Sequence, residues 1–170
     1  VTLIEHYLSD DHDEDASLSV GVGDLVVGEG ASVRYLIHQN LSYASRHVQM
    51  NSTVVRRDGN ALSFLANLGA GWVRNEGVSH LAGEGANSDM LSANVACADD
   101  EYEQRTLQHH EAPNTTSDLL YKNAVYDRAR TIFAGLIKVD EGAYHTDAYQ
   151  KCRNLLGSDE AEANAMPGLE

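Results

Sequence analysis

A short acidic-glycine turn returns along this chain at a nearly constant interval. Glu29-Gly30-Ala31 recurs as Asp58-Gly59-Asn60, as Glu84-Gly85-Ala86 and as Glu141-Gly142-Ala143. The steps from Gly30 to Gly59 and from Gly59 to Gly85 are nearly equal, and the step from Gly85 to Gly142 is close to double. A polar turn at Glu111-Ala112-Pro113-Asn114 falls midway in that long step. Glycine takes positive φ at little cost, and an acidic neighbour folds back on its own backbone, so each site reads as a turn. A turn every ~28 residues, with strand-like sequence between, marks a stacked repeat. The intervals are strand-like because apolar residues fall at every second position. Val33, Tyr35 and Ile37 alternate with Arg34, Leu36 and His38; Leu18, Val20 and Val22 alternate with Ser19, Gly21 and Gly23. Only Pro113 and Pro167 could interrupt a ladder. An antiparallel sandwich would turn every ~8–12 residues, so the spacing predicts an all-β, parallel β-helix. Each coil is expected to hold two or three strands of ~5–6 residues. Coils would stack at ~4.8 Å around an interior of small aliphatic side chains.

The boundaries follow from the same pattern. Residues 1–170 are expected to form one domain, with an irregular acidic entry over 1–16 and an irregular end over 157–170. The segment Ser117–Arg130 carries helix-favouring Leu, Ala and Arg behind a capping Ser or Asp. It is read here as strand, as is Thr131–Val139, where Phe133, Ile137 and Val139 share a face.

Charge narrows the function. Twelve Lys and Arg stand against 26 Asp and Glu, a formal charge of −14. A nucleic-acid backbone needs a basic patch, and the only adjacent basic pair is Arg56-Arg57. No stretch approaches the ~18 apolar residues of a membrane helix. The first residues, Val1 to His6, lack the pattern of a secretory signal. Cys97 and Cys152 lie far apart along the chain, neither a disulfide framework nor a closed zinc set. These points predict a reduced, cytoplasmic setting, in which the sequons at Asn40, Asn51 and Asn114 are chance occurrences.

The candidate chemistry is sparse. Gly21-Val22-Gly23 and Gly69-Ala70-Gly71 lack the remainder of a phosphate loop and read as strand turns and tight interior packing. The run Asp10-Asp11-His12-Asp13-Glu14-Asp15 reads as a solvated loop, and Asp99, Asp100, Glu101 and Glu103 as a solvated turn rather than a Ca²⁺ site. His109 and His110 point to opposite faces of a strand and cannot share a metal; one is expected to be buried and hydrogen-bonded. Cys97 sits in an apolar run and is expected in the core. Cys152 is flanked by Lys151 and Arg153, which would lower its pKa and favour the thiolate; a small apolar filler is the alternative.

The C-terminal half resembles a known family. Thr106 to Lys122 follows the pattern T-x-x-x-H-x-A-P-N-T-x-S-x-x-x-x-K of the SufB/SufD proteins, scaffold subunits of the SUF iron–sulfur cluster assembly machine. The likeness continues through Phe133-Ala134-Gly135-Leu136-Ile137-Lys138-Val139, Thr146–Gln150, Arg153–Leu156 and Met166–Glu170; Gly28–Ala31 and His80–Ala86 fit more loosely. Arg153-Asn154-Leu155-Leu156 and Pro167-Gly168-Leu169-Glu170 are more similar to the SufD branch.

The resemblance implies a right-handed β-helix within a complex of SufB, SufD and two copies of the SufC ATPase. A nascent cluster would be built at the SufB–SufD interface, with a reduced flavin associated with the complex. SufC would dock on a C-terminal helical domain that is not in this sequence. The chain is therefore expected to be truncated relative to the family, ending before the segment where SufD-like proteins carry Cys-x-His and SufB-like ones His-Glu. Cys152 falls where SufB-type sequences place their cluster-assembly thiolate, which makes it the one metal-binding candidate. His110, Asn114 and Thr115 are expected to satisfy buried backbone groups at a corner.

The expected function is a non-catalytic scaffold that pairs with a SufB-type subunit, or with itself as a dimer, and holds a transient cluster jointly. The alternatives are an oligomerising β-helix without metal, or a secreted carbohydrate-active lyase using Ca²⁺.

Overall fold

The computed structural model describes residues 1–9 and 16–170; the acidic run at 10–15 lies outside the described residues. Twelve strands alternate between two parallel sheets: β1 (Thr2–Leu8), β2 (Leu18–Val27), β3 (Ser32–Asn40), β4 (Arg46–Val55), β5 (Asn60–Asn67), β6 (Trp72–Leu81), β7 (Asn87–Ala96), β8 (Glu101–His110), β9 (Thr116–Val125), β10 (Arg130–Val139), β11 (Asp147–Leu156) and β12 (Glu162–Leu169). Odd strands form one sheet in the order β1-β3-β5-β7-β9-β11, and even strands the other, from β12 to β2. Two strands and two corners make a coil, and about six coils stack into a parallel β-helix. Coils hold two strands of 7–10 residues rather than shorter ones. Two expectations are corrected: β1 lies inside the supposed irregular entry, and β12 inside the supposed irregular end, in register with β10. Ser117–Arg130 is strand up to Val125, then a corner, with Arg130 opening β10.

One corner column carries the repeat read from the sequence. Gly30, Asp58, Gly85, Asn114 and Gly142 all have positive φ, each following the last by one coil. Each of the first four donates its N–H to the corner of the next coil: Gly30 to Arg57 O at 2.9 Å, Asp58 to Glu84 O at 2.9 Å, Gly85 to Pro113 O at 3.3 Å and Asn114 to Tyr144 O at 2.8 Å. At Gly85 a Cβ would meet the exposed Asp58 carboxylate, which can swing aside, so the demand for glycine comes from φ. In the second coil the left-handed residue is Asp58, not the glycine beside it. The opposite corner holds Ala70, Ala98 and Asp127 at positive φ, again one per coil; only Ala70 has glycines beside it, Gly69 and Gly71.

The interior is built in rows, one residue per coil. Val27, Val55 and Leu81 stack inside the first corner; Val73, Tyr102, Ala96 and Val125 fill the second. Fully burying a side chain such as Leu or Phe contributes about 1.5–3 kcal/mol. In the middle, the inward row Gly23, Asn51, Gly77, Thr106, Gly135 leaves room for Tyr35, Met90 and Tyr121 from the facing sheet. The expected aliphatic filling is only part of the interior. Gln39, His47, Gln49, Asn67, Asn94, Gln104, Gln108 and Asn123 are also buried. On β2 the apolar set Leu18, Val20 and Val22 faces solvent, while Ser19, Gly21 and Gly23 face inward.

Candidate functional site

Cys152 lies on β11, the edge strand of its sheet. Side chains alternate across a strand, so Gln150, Cys152 and Asn154 share one face, and Lys151 and Arg153 take the other. The inward face packs Cys152 beside Met90, Leu119, Tyr121 and Phe133. An open pocket of about 380 Å³ lies over the thiol, lined by Phe133, Gln150, Cys152, Ala165 and Pro167 among others. The sulfur stands 3.6 Å from Asn123 Nδ2, which donates to it, and 3.6 Å from Asn154 Oδ1, which accepts from it. Burial pushes the thiol pKa up, and the two asparagines oppose this only in part. The expected activation by Lys151 and Arg153 is therefore corrected: both residues border the pocket, but their side chains leave the strand on its other face, and the largest effect on the thiol is loss of water.

The asparagines next to Cys152 end a row that sequence reasoning missed. Asn67, Asn94, Asn123 and Asn154 occupy the same position in successive coils. Asn67 donates to Asn94 at 2.6 Å, Asn94 to Asn123 at 2.8 Å and Asn123 to Asn154 at 2.7 Å. Gln104 of the facing sheet donates to Asn123 at 2.9 Å. The spacing of these asparagines matches the turn interval and was a usable signal. The row fixes the amides that hold the thiol.

The remaining candidates resolve into structural roles. His110 is fully buried where Val27, Val55 and Leu81 stand in earlier coils, so its ring needs partners. Thr115 Oγ1 at 2.7 Å and Ser117 Oγ at 2.9 Å provide them. Thr115 also donates to Ala112 O at 3.1 Å, and Asn114 to Glu84 at 2.9 Å, which ties the corner. Burial, helped by neighbouring His109, pushes the His110 pKa down to about 4. His109 faces outward, 2.8 Å from Asp140 Oδ2 and stacked on His80. The acidic cluster is taken up by arginines and backbone: Asp99 by Arg128 at 2.7 and 2.9 Å, Glu101 by Arg130 at 2.9 Å, Glu103 by Arg74 at 3.4 Å, and Asp100 by the Cys97 N–H at 2.9 Å. Cys97, expected in the core, is exposed at a corner. Among the described residues no group of three or more His, Cys, Asp or Glu side chains could hold a metal ion, and no helix is long and apolar enough to cross a membrane. A thiol in a pocket at a sheet edge, without a second sulfur, can contribute one ligand to a shared centre but cannot make one alone.

Comparison with known proteins agrees with the fold and the motif. A family model described as SUF system FeS cluster assembly, SufBD core domain, matches residues 1–170. The chain is 29% identical over 175 residues to the iron-sulfur cluster assembly protein SufD of Escherichia coli (strain K12), covering 99% of this chain and 40% of the relative. It is 27% identical over 170 residues to SufD of Bacillus subtilis (strain 168), covering 99% and 39%. An iron-sulfur cluster assembly SufBD family protein of Staphylococcus saprophyticus is 26% identical over 152 residues, covering 89% and 33%. The chain thus spans about two fifths of the length of the two SufD proteins. Matched from end to end, it belongs to the SufBD core family.

Proposed function

We propose that this chain is the β-helical core of a SufD-like, non-catalytic scaffold that helps build and hold a nascent iron–sulfur cluster between subunits, in a reducing cytoplasmic setting. The partner is a SufB-type subunit or a second copy, and a SufC-type ATPase acts through a part of the assembly outside these residues. The observation that carries this reading is the position of Cys152. Its sulfur lines an open pocket on the inward face of an edge strand, where a neighbouring strand could bring further ligands alongside. Cluster iron is held by cysteine thiolates, so the remaining ligands come from that neighbour. Binding iron requires the Cys152 proton to leave, and the buried thiol keeps it until the metal arrives. Among the described residues there is no helix whose N-terminus could hold a flavin's phosphate.

The test is anaerobic reconstitution with ferrous iron and sulfide in the presence of a SufB-type partner, comparing wild type with Cys152→Ala. The variant is expected to lose most of the visible absorbance of the shared cluster. Equal absorbance in both proteins would remove Cys152 from the site.

A further inference from the structure

At the other end of the same sheet, β1 and β3 bring two histidines together. His6 and His38 are register partners on adjacent parallel strands. Both face outward, because Glu5 and Tyr7, and Ile37 and Gln39, take the inward positions. Their Nδ1 atoms are 3.3 Å apart, and the rings meet edge to face with centroids 5.4 Å apart. A neutral imidazole carries one proton between two nitrogens. Two Nδ1 atoms facing each other this closely therefore share either a proton or a cation. With Zn–N bonds of about 2.0–2.1 Å and tetrahedral angles, two nitrogen ligands of one ion stand about 3.3–3.4 Å apart. The pair already has that span.

The surroundings leave room for an ion. The next residue in the row, on β5, is Ala66, whose methyl group leaves that side open. Among the described residues neither imidazole is engaged by a carboxylate. The contrast is with His80 and His109, also register partners. Those rings lie flat against each other, 4.7 Å apart with planes 6° from parallel, and each Nε2 is taken by its own carboxylate, Glu111 or Asp140. That pair is closed; the His6–His38 pair is not.

We propose that His6 and His38 form a two-histidine chelating site for a divalent transition ion of the zinc and nickel class, with water completing the coordination. Imidazole suits these ions, and the affinity order places Cu²⁺ above both. The bound ion would clip β1, the edge strand, to β3. Four to five strand spacings, roughly 19–24 Å, separate the two histidines from β11, so the site stands or falls independently of Cys152.

The experiment uses tag-free protein and Zn²⁺ or Ni²⁺ alone, followed by calorimetric titration and by the thermal midpoint. One equivalent is expected to bind and to raise the midpoint. His6→Asn and His38→Asn should each weaken binding by about tenfold or more, while His145→Asn, at an exposed corner, should not. Electron paramagnetic resonance of the Cu²⁺-loaded wild type decides without any variant: two coordinated imidazole nitrogens are expected. One or none, or unchanged binding in either histidine variant, would overturn the site.

Discussion

At the scale of single residues, the corners explain what the chain demanded of its sequence and what it hid. Left-handed backbone costs an ordinary residue roughly 1–2 kcal/mol and glycine almost nothing. Glycine therefore marked Gly30, Gly85 and Gly142 in advance. The turns at Asp58-Gly59-Asn60 and Glu111–Asn114 were marked too, but not that Asp58 and Asn114 would be their left-handed residues, since short polar side chains tolerate that conformation without announcing it. At the second corner Gly69 and Gly71 marked Ala70 as a turn, while Ala98 was silent, so that corner was not read as a repeat. That one of His109 and His110 is buried and hydrogen-bonded was legible because neighbours on a strand face opposite ways; that it is His110 was not fixed by alternation. Its environment makes a pH prediction. The folded ring titrates near 4, depressed by burial and by His109, against about 6.5 in an unfolded chain. Between those values the unfolded state binds a proton that the folded state refuses. The stability linked to His110 is complete above pH ~6.5 and drains away as the pH falls toward ~4, by roughly 2–3 kcal/mol at the lower limit. Burial pushes the carboxyls of Asp89 and Asp100 up, with the opposite sign. The clean measurement is therefore the difference between wild type and His110→Gln in urea unfolding at pH 7.5 and pH 5. The variant should be weaker throughout but lose less on acidification; equal losses would contradict the assignment.

At the scale of the strand, the rows matter more than the strands that supply them. The alternation that predicted β3 and β10 placed Tyr35, Ile37, Phe133 and Ile137 inside as expected. The same alternation on β2 could not say which set faced inward, since period two is blind to direction. There the glycines went in and the valines out, because Tyr7 and Tyr35 need the space. The asparagine row shows the other limit. An aliphatic interior was expected because buried amides are costly unless paired, and a single strand carries no sign that its amide will meet an identical one in the next coil. Asn94 accepts from Asn67 and Ser92 and donates to Asn123. Asn94→Ala should cost about 2–4 kcal/mol, since it takes the shared acceptor from the buried Asn67 amide and Ser92 hydroxyl and one of two donors from Asn123 Oδ1. Urea denaturation measures this, and a cost below about 1 kcal/mol would show that the row carries little of the stability. Cys152 was singled out by resemblance and by its flanking cations, and of its two open settings the apolar one fits the packing beside Phe133 and Tyr121: flanking charges along a sequence are not neighbours across a strand.

At the scale of the molecule, each coil touches little beyond the coils above and below it. Stability is then a sum of coil and interface contributions, as in other solenoids. Hydrogen exchange should be slowest in β6 to β9, whose ladders are flanked on both sides, and fastest in β1. Uniform protection from end to end would argue for a single cooperative unit instead. The parallel register has a mechanical corollary. The hydrogen bonds joining coils run along the stacking axis, in ladders that extend the length of each strand. A tug applied along that axis at one end loads a single ladder and peels rungs away serially. A sideways force between neighbouring coils must shear a whole ladder at once. The rod is therefore compliant to unzipping and stiff to sliding, so a subunit gripping its flank can be levered without the rows slipping out of step.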